Sequence, residues 1–123
     1  MQFARRVFLI GGIYGLIVIT PQLFLEDLTG KMNPPAITHP EFYYGFVGLG
    51  LAWQVAFVLM SQDPVRFRPL MIAAMIEKFS FGIAVPVLFV MGRVSALLVG
   101  FAAIDLVLGL LFVEAFRRTK PAP

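Results

Sequence analysis

Hydrophobic residues in this chain form four long runs, at about 5–25, 42–60, 67–91 and 94–116, separated by short polar segments. A helix needs about 20 apolar residues to cross roughly 30 Å of hydrocarbon, because it rises 1.5 Å per residue. Each run is near or above that length. The pattern therefore predicts four membrane-spanning helices, with Pro40 as an alternative start for the second.

The connections between the runs predict how the helices are arranged. The last two connections, 61–66 and 92–93, are too short to reach anything but a neighbouring antiparallel helix. The fold class predicted for residues 1–123 is all-α: one membrane-embedded domain, an antiparallel four-helix bundle. Pro21 and Pro86 each remove a backbone donor, so we expect them to kink or thin their helices.

Composition and charge agree with a membrane location. The chain is 59% hydrophobic and 14% charged, against about 25% charged in ordinary soluble domains. Its basic residues lie at the ends of the apolar runs, which is typical of topology determinants and not of a nucleic-acid-binding face. One side holds Arg5, Arg6, Arg66, Arg68, Arg117, Arg118 and Lys120, and the other holds Lys31 and Arg93. This bias predicts a multi-pass protein of the bacterial inner (plasma) membrane with both termini cytoplasmic.

Five polar side chains fall at one depth near the middle of the predicted bilayer. They are Tyr14, Gln54, Glu77, Lys78 and Asp105, and every span contributes at least one. Ionisable groups in hydrocarbon cost about 2.5–3.5 kcal/mol each on insertion scales, so they are rare and usually functional. We therefore predict a ligand or proton site here. The alternative is that these groups only join helices through interhelical hydrogen bonds.

The facing of these residues follows from their helical positions. Glu77 shares a face with small residues of the third span, so we expect it to point into the bundle together with Asp105. Lys78 lies about 100° around the helix, which predicts a flanking partner for one acid. The other carboxyl then has no cation at its depth, and we expect it to be protonated in the resting protein.

Small residues at helical spacing predict close helix contacts. Gly11 and Gly15 form such a pair in the first span, and Gly48, Ala52 and Ala56 form a row in the second. These faces indicate either a dimer interface or packing within the chain, and packing within the chain is favoured because four helices already need such faces.

Two segments, HPEFYYGF at 39–46 and IEKFSFGI at 76–83, resemble those of small four-span bacterial inner-membrane proteins. That resemblance covers most of the chain and implies a fold but no activity. By layout alone the chain is also similar to DoxX-like proteins and to sterol-isomerase-like (EXPERA) proteins, which have buried acids around an apolar ligand. A similar fold does not by itself indicate the same function.

Three functions remain open from the sequence. The first is binding of an apolar molecule or a partner helix in a cavity floored by Glu77 and Asp105. Aromatic residues that would line the cavity, or else form plain core, are Tyr14, Trp53, Phe81, Phe101 and Phe112. The second is a proton-coupled small transporter, and the third is a structural subunit of a homodimer or larger membrane complex. No nucleophile–base pair, metal-ligand spacing or nucleotide loop is present, which disfavours an enzyme and predicts no metal or cofactor.

Overall fold

The chain forms an all-α bundle in the computed structural model, which describes residues 2–121 and 123. Four long helices and one short helix follow in order: α1 (Gln2–Ile19), α2 (Glu26–Met32), α3 (Pro40–Gln62), α4 (Leu70–Val90) and α5 (Ala96–Arg118). A 3₁₀ helix, Thr20–Phe24, extends α1. The predicted fold class is confirmed, whereas the short α2 lies in a connection for which we predicted no helix.

Four helices are long and apolar enough to cross a membrane: Gln2–Phe24, Pro40–Gln62, Leu70–Val90 and Ala96–Arg118. The chain is therefore a multi-pass membrane protein. The α-helical geometry of the first span gives way to 3₁₀ geometry at Thr20, one residue before Pro21, which agrees with the predicted thinning. Pro86, in contrast, lies inside a helix that continues to Val90.

The helices form a ring in the order α3, α1, α5, α4. The closest helix pairs are α1 with α3 and α4 with α5, and α1 with α5 joins them. Helices α3 and α4, although consecutive among the spans, touch at few points. The ring is therefore open on one side, and we call this opening the α3–α4 gap.

The hydrophobic core lies toward one end of the bundle, where α1 and α4 begin and α3 and α5 end. We call this the terminal end and the opposite one the loop end. The centre of the core is aromatic: the ring of Phe8 stacks on Phe112 at 4.3 Å, and Phe57 meets Phe112 edge-on at 5.0 Å. The other buried members are Ala4, Val7, Met60, Met71, Ala74 and Ala115. Burial is thus concentrated in one half of the bundle.

Arginines bind exposed helix carbonyls at the terminal end. Arg5 Nη1 donates to the carbonyl of Gln62 at the end of α3, at 2.8 Å. Arg68 Nε donates to the carbonyl of Thr119 at 2.5 Å, and its guanidinium lies 3.7 Å from the centroid of the Phe116 ring. The last carbonyls of a helix lack intrahelical donors, so these arginines satisfy groups that would otherwise need water.

The loop end is held by polar contacts instead of a core. Tyr43 Oη donates to the carbonyl of Gln22 at 2.7 Å, and Tyr44 Oη donates to Glu26 Oε1 at 3.0 Å. These two hydrogen bonds fix the first connection against the start of α3.

The tight turn between α4 and α5 contains Gly92 at φ 74°, a left-handed conformation that favours glycine.

The predicted small-residue faces have two different outcomes. In α1, a Cβ added at Gly11 would lie 3.4 Å from the Phe112 ring, so the preferred packing within the chain is confirmed there. In α3 the same preference is wrong for Gly48 and Ala52. Ala52 is exposed, and within the described residues no atom lies within 4 Å of a Cβ added at Gly48.

Candidate functional site

Lys78 occupies the centre of the inward face of α4. The buried residues of that helix are Met71, Ala74, Lys78, Gly82 and Val85, a spacing of three and four residues that defines one face. Lys78 is 3% exposed, whereas the Glu77 side chain is 24% exposed. The predicted facing is therefore wrong, because the cation and not Glu77 lies on the inward line.

The ammonium of Lys78 lies between two carboxylates. Its Nζ is 3.5 Å from Asp105 Oδ1 on α5, to which it donates a hydrogen bond, and 3.5 Å from Glu77 Oε2. The prediction that Lys78 pairs with one acid only is wrong. A lysine ammonium is a compact charge with three donors on a flexible stem, so it can approach both carboxylates at once. We call these three side chains the acid–lysine cluster.

Glu77 is the less satisfied of the two acids. Its Oε2 atom is buried and accepts no hydrogen bond among the described residues, although it lies at ion-pair distance from Lys78. The cluster therefore has two carboxylates for one ammonium, with one of them incompletely bonded. With all three groups ionised, its net charge is negative.

The Glu77 side chain faces the α3–α4 gap. Two phenylalanines show the orientation of α4: the ring of Phe79 would lie 3.0 Å from a Cβ added at Gly109 of α5, and the ring of Phe81 lies 6.3 Å from that of Phe46 in α3. Residues four apart on a helix share a face, so Glu77 projects on the same side as Phe81. The side chain thus leaves α4 on the side of the gap, while its Oε2 lies 3.5 Å from Lys78 Nζ.

The α3 wall of the gap is aromatic. Trp53 lies seven residues after Phe46 and four before Phe57, a spacing that places all three on one face. The Trp53 and Phe57 rings are 6.1 Å apart, and Lys78 Nζ is 5.3 Å from the centroid of the Phe57 ring. The gap thus has Phe46 and Trp53 on one side and Glu77 on the other, with Phe57 and Lys78 behind.

The other two predicted site residues lie around α1. Gln54 is fully buried between α1 and α3, where its Nε2 donates to the carbonyl of Gly50 at 3.0 Å and its side chain fills the space beside Gly15. Tyr14 is half-buried and within electrostatic range of Asp105. Tyr14 therefore belongs to the surroundings of the cluster, whereas the Gln54 amide serves the α1–α3 contact.

The aromatic residues that were predicted to line the cavity also lie in different parts of the bundle. Trp53 and Phe81 lie along the α3–α4 gap, while Phe112 is fully buried in the core. Phe101 is 37% exposed on α5. Sequence reasoning did not include Phe46 or Phe57, and the signal that could have found them is their helical spacing to Trp53.

The surface has a depression at each end of the bundle, away from the acid–lysine cluster. The one at the loop end is lined by Phe24, Leu25, Glu26, Asp27, Leu28, Lys31 and Tyr44. The one at the terminal end is lined by Gln2, Arg5, Arg6, Leu9, Val58, Ser61 and Gln62. Neither is lined by Glu77 or Asp105. Within residues 2–121 and 123, no three His, Asp or Glu side chains are grouped to hold a metal ion.

Comparison of the chain with protein-family models, curated proteins and solved structures finds no match. The resemblance to four-span inner-membrane proteins therefore stays a prediction, and function has to be argued from the geometry of the site.

Removal of the Lys78 ammonium should destabilise the bundle. In Lys78→Met two buried carboxylates lose their shared cation, and breaking a buried ion pair on one side typically costs about 3–5 kcal/mol. We expect the free energy of unfolding, measured in mixed detergent micelles, to fall by about that amount. Lys120→Met, which removes an exposed lysine, should show little change.

The compensating triple variant Lys78→Met/Glu77→Gln/Asp105→Asn should recover most of that loss, because no buried charge is left without a partner. Equal stability of Lys78→Met and Lys120→Met would contradict the cluster as described.

Proposed function

We propose that this protein binds, within the membrane, apolar molecules that carry a cationic group, and that they enter through the α3–α4 gap. The observation that carries the proposal is the position of Glu77. Its side chain is 24% exposed beside the loosely packed α3–α4 interface, and the cluster has two carboxylates for the single buried ammonium. An acid within a membrane span is costly unless something compensates it.

The walls of the gap favour a cation over a neutral ligand. Aromatic faces attract positive charge, and the attraction reaches about 2 kcal/mol or more when the site is desolvated. Phe46 and Trp53 supply such faces opposite Glu77. The same walls are apolar, so a ligand needs a hydrophobic body to reach them from the lipid. Carboxylate and aromatic rings together select lipophilic amines, phosphoniums and similar cations.

A partner helix is less well supported as the occupant. Helices that associate in lipid approach through small residues, which let their backbones come close. The walls of the gap are instead formed by large side chains, Phe46, Trp53 and Phe81. Small molecules fit between such rings better than a second backbone does. This argues against a partner helix as the occupant of the gap.

Proton-coupled transport is the second candidate function. It is favoured by the sharing of one ammonium between two carboxylates, because a cation that pairs with Glu77 can exchange with a proton on the same group. The two candidates use the same site and differ in whether the ligand crosses the membrane.

Fluorescence of Trp53 provides the test, because it is the only tryptophan in the chain. We expect tetraphenylphosphonium to quench Trp53 saturably in purified protein, and the anion tetraphenylborate, which has the same shape, not to do so. Glu77→Gln should weaken phosphonium binding about ten-fold, the effect of about 1.4 kcal/mol of lost charge attraction. Glu77→Asp should keep most of the affinity. Glu114→Gln, which removes an acid paired with Arg117 and Arg118 at the terminal end, is the matched control and should bind like the wild type.

Equal affinity for the two ions, or unchanged affinity in Glu77→Gln, would contradict the proposal. The same probe in sealed vesicles separates the two candidates. Quenching without accumulation supports a binding protein. Accumulation that follows an imposed pH gradient and is lost in Asp105→Asn supports a carrier.

We also propose that both ends of the chain lie in the cytoplasm and that the membrane is the bacterial inner (plasma) membrane. Seven Lys and Arg residues lie on the side of the termini and two on the loop side, and such a bias orients membrane proteins with the basic side inside. A phosphatase reporter that is active only outside the cytoplasm should be inactive when fused after Lys120 and active when inserted between Met32 and Asn33. The reverse result would contradict this orientation.

A further inference from the structure

We propose that the depression at the terminal end, between α1 and α3, binds the phosphate headgroup of an anionic phospholipid. This site is separate from the α3–α4 gap and does not depend on the function proposed for it. It is lined by Gln2, Arg5, Arg6, Leu9, Val58, Ser61 and Gln62. Basic pockets between spanning helices at the membrane surface are suited to lipid phosphates.

Arg5 is held in place for this role. Its Nη1 donates to the carbonyl of Gln62 at 2.8 Å, which ties the guanidinium of α1 to the end of α3. A guanidinium has five N–H donors in a rigid fork, so most of them stay available for another acceptor. Arginine matches the geometry of phosphate oxygens and is commonly used where phosphate is recognised. A group fixed in advance loses less entropy when the ligand binds.

The lining of the depression is positively charged. Arg6 is exposed beside Arg5, and among the described residues no carboxylate lines the site. Of the acids at this end, Glu114 binds two arginines of α5, and Asp63 lies outside the lining, where its Oδ1 accepts from the backbone N–H of Arg66 at 3.3 Å. The depression therefore has two positive charges that a phosphate group can neutralise.

The apolar part of the lining indicates a lipid and not a free phosphate. Leu9 lies one helical turn beyond Arg5, about 6 Å deeper along α1, and is 41% exposed. Val58 lies one turn before Gln62 on α3, so it continues the other wall in the same direction. A headgroup at the arginines would place its acyl chains along Leu9 and Val58. A soluble phosphate has no part that uses these walls.

The test compares lipids that share their acyl chains and differ in their headgroups. Purified protein is titrated with phosphatidylglycerol or phosphatidylcholine and examined by native mass spectrometry, with glycerol 3-phosphate as the soluble headgroup. We expect phosphatidylglycerol to bind more tightly than phosphatidylcholine, and glycerol 3-phosphate not to bind. Arg6→Gln should weaken phosphatidylglycerol binding about five-fold, the effect of one basic side chain at a membrane surface.

Arg66→Gln is the matched control, because Arg66 is an exposed arginine at the same end and lies outside the depression. It should change the affinity less than two-fold, as should Glu77→Gln, which alters only the gap. Equal losses in Arg6→Gln and Arg66→Gln would overturn the site in favour of diffuse charge attraction. Equal binding of the two lipids, or binding of glycerol 3-phosphate, would also overturn it.

Discussion

The arrangement of the spans depends on one buried ammonium. Lys78 lies on the inward face of α4, within a candidate membrane span, where an uncompensated charge would oppose insertion and packing. Asp105 of α5 lies opposite and accepts its hydrogen bond, and Glu77 provides a second negative charge. The bond crosses between α4 and α5, which are one of the two closest helix pairs. Because the compensating charge is on α5, the cluster stabilises the contact between α4 and α5 and not the contact between α4 and α3. The open α3–α4 side is consistent with this division.

The asymmetry of the bundle connects fold and function. The aromatic core around Phe8, Phe57 and Phe112 closes the terminal end, and the arginines there bind the carbonyls of neighbouring helices. Among residues 2–121 and 123, the loop end has hydrogen bonds from tyrosines and no comparable core. Between them, the cluster lies beside the α3–α4 gap. The well-packed half therefore adjoins a charged cluster next to the loosely packed side of the bundle, and the proposed function rests on this arrangement.

The sequence predicted depth better than direction. Counting residues from the ends of the apolar runs was sufficient to expect Glu77, Lys78 and Asp105 near one level, and the fold brings their charged atoms together. The predicted orientation of Glu77 was wrong because lipid and the bundle interior are both apolar. Small residues therefore do not mark the inward face of a helix, and Ser80 and Ala84 on the predicted face are exposed. The location of Gln54 depended on the space beside Gly15 in another helix, and the bond from Arg5 to Gln62 joins residues 57 apart, so neither follows from local pattern. The predicted protonated carboxyl stays a prediction.

The shared position of the ammonium is the central claim, and solid-state NMR in lipid bilayers measures it directly. With ¹⁵N at Lys78 Nζ and ¹³C at the side-chain carboxyls, dipolar recoupling reports which carboxyl carbons lie close to that nitrogen. The account predicts couplings from this one nitrogen to the side-chain carboxyl carbons of both Glu77 and Asp105. In the Asp105→Asn variant, whose substituted side chain is unlabelled, the coupling assigned to Asp105 should disappear. Coupling to a single carboxyl, or to neither, would contradict it.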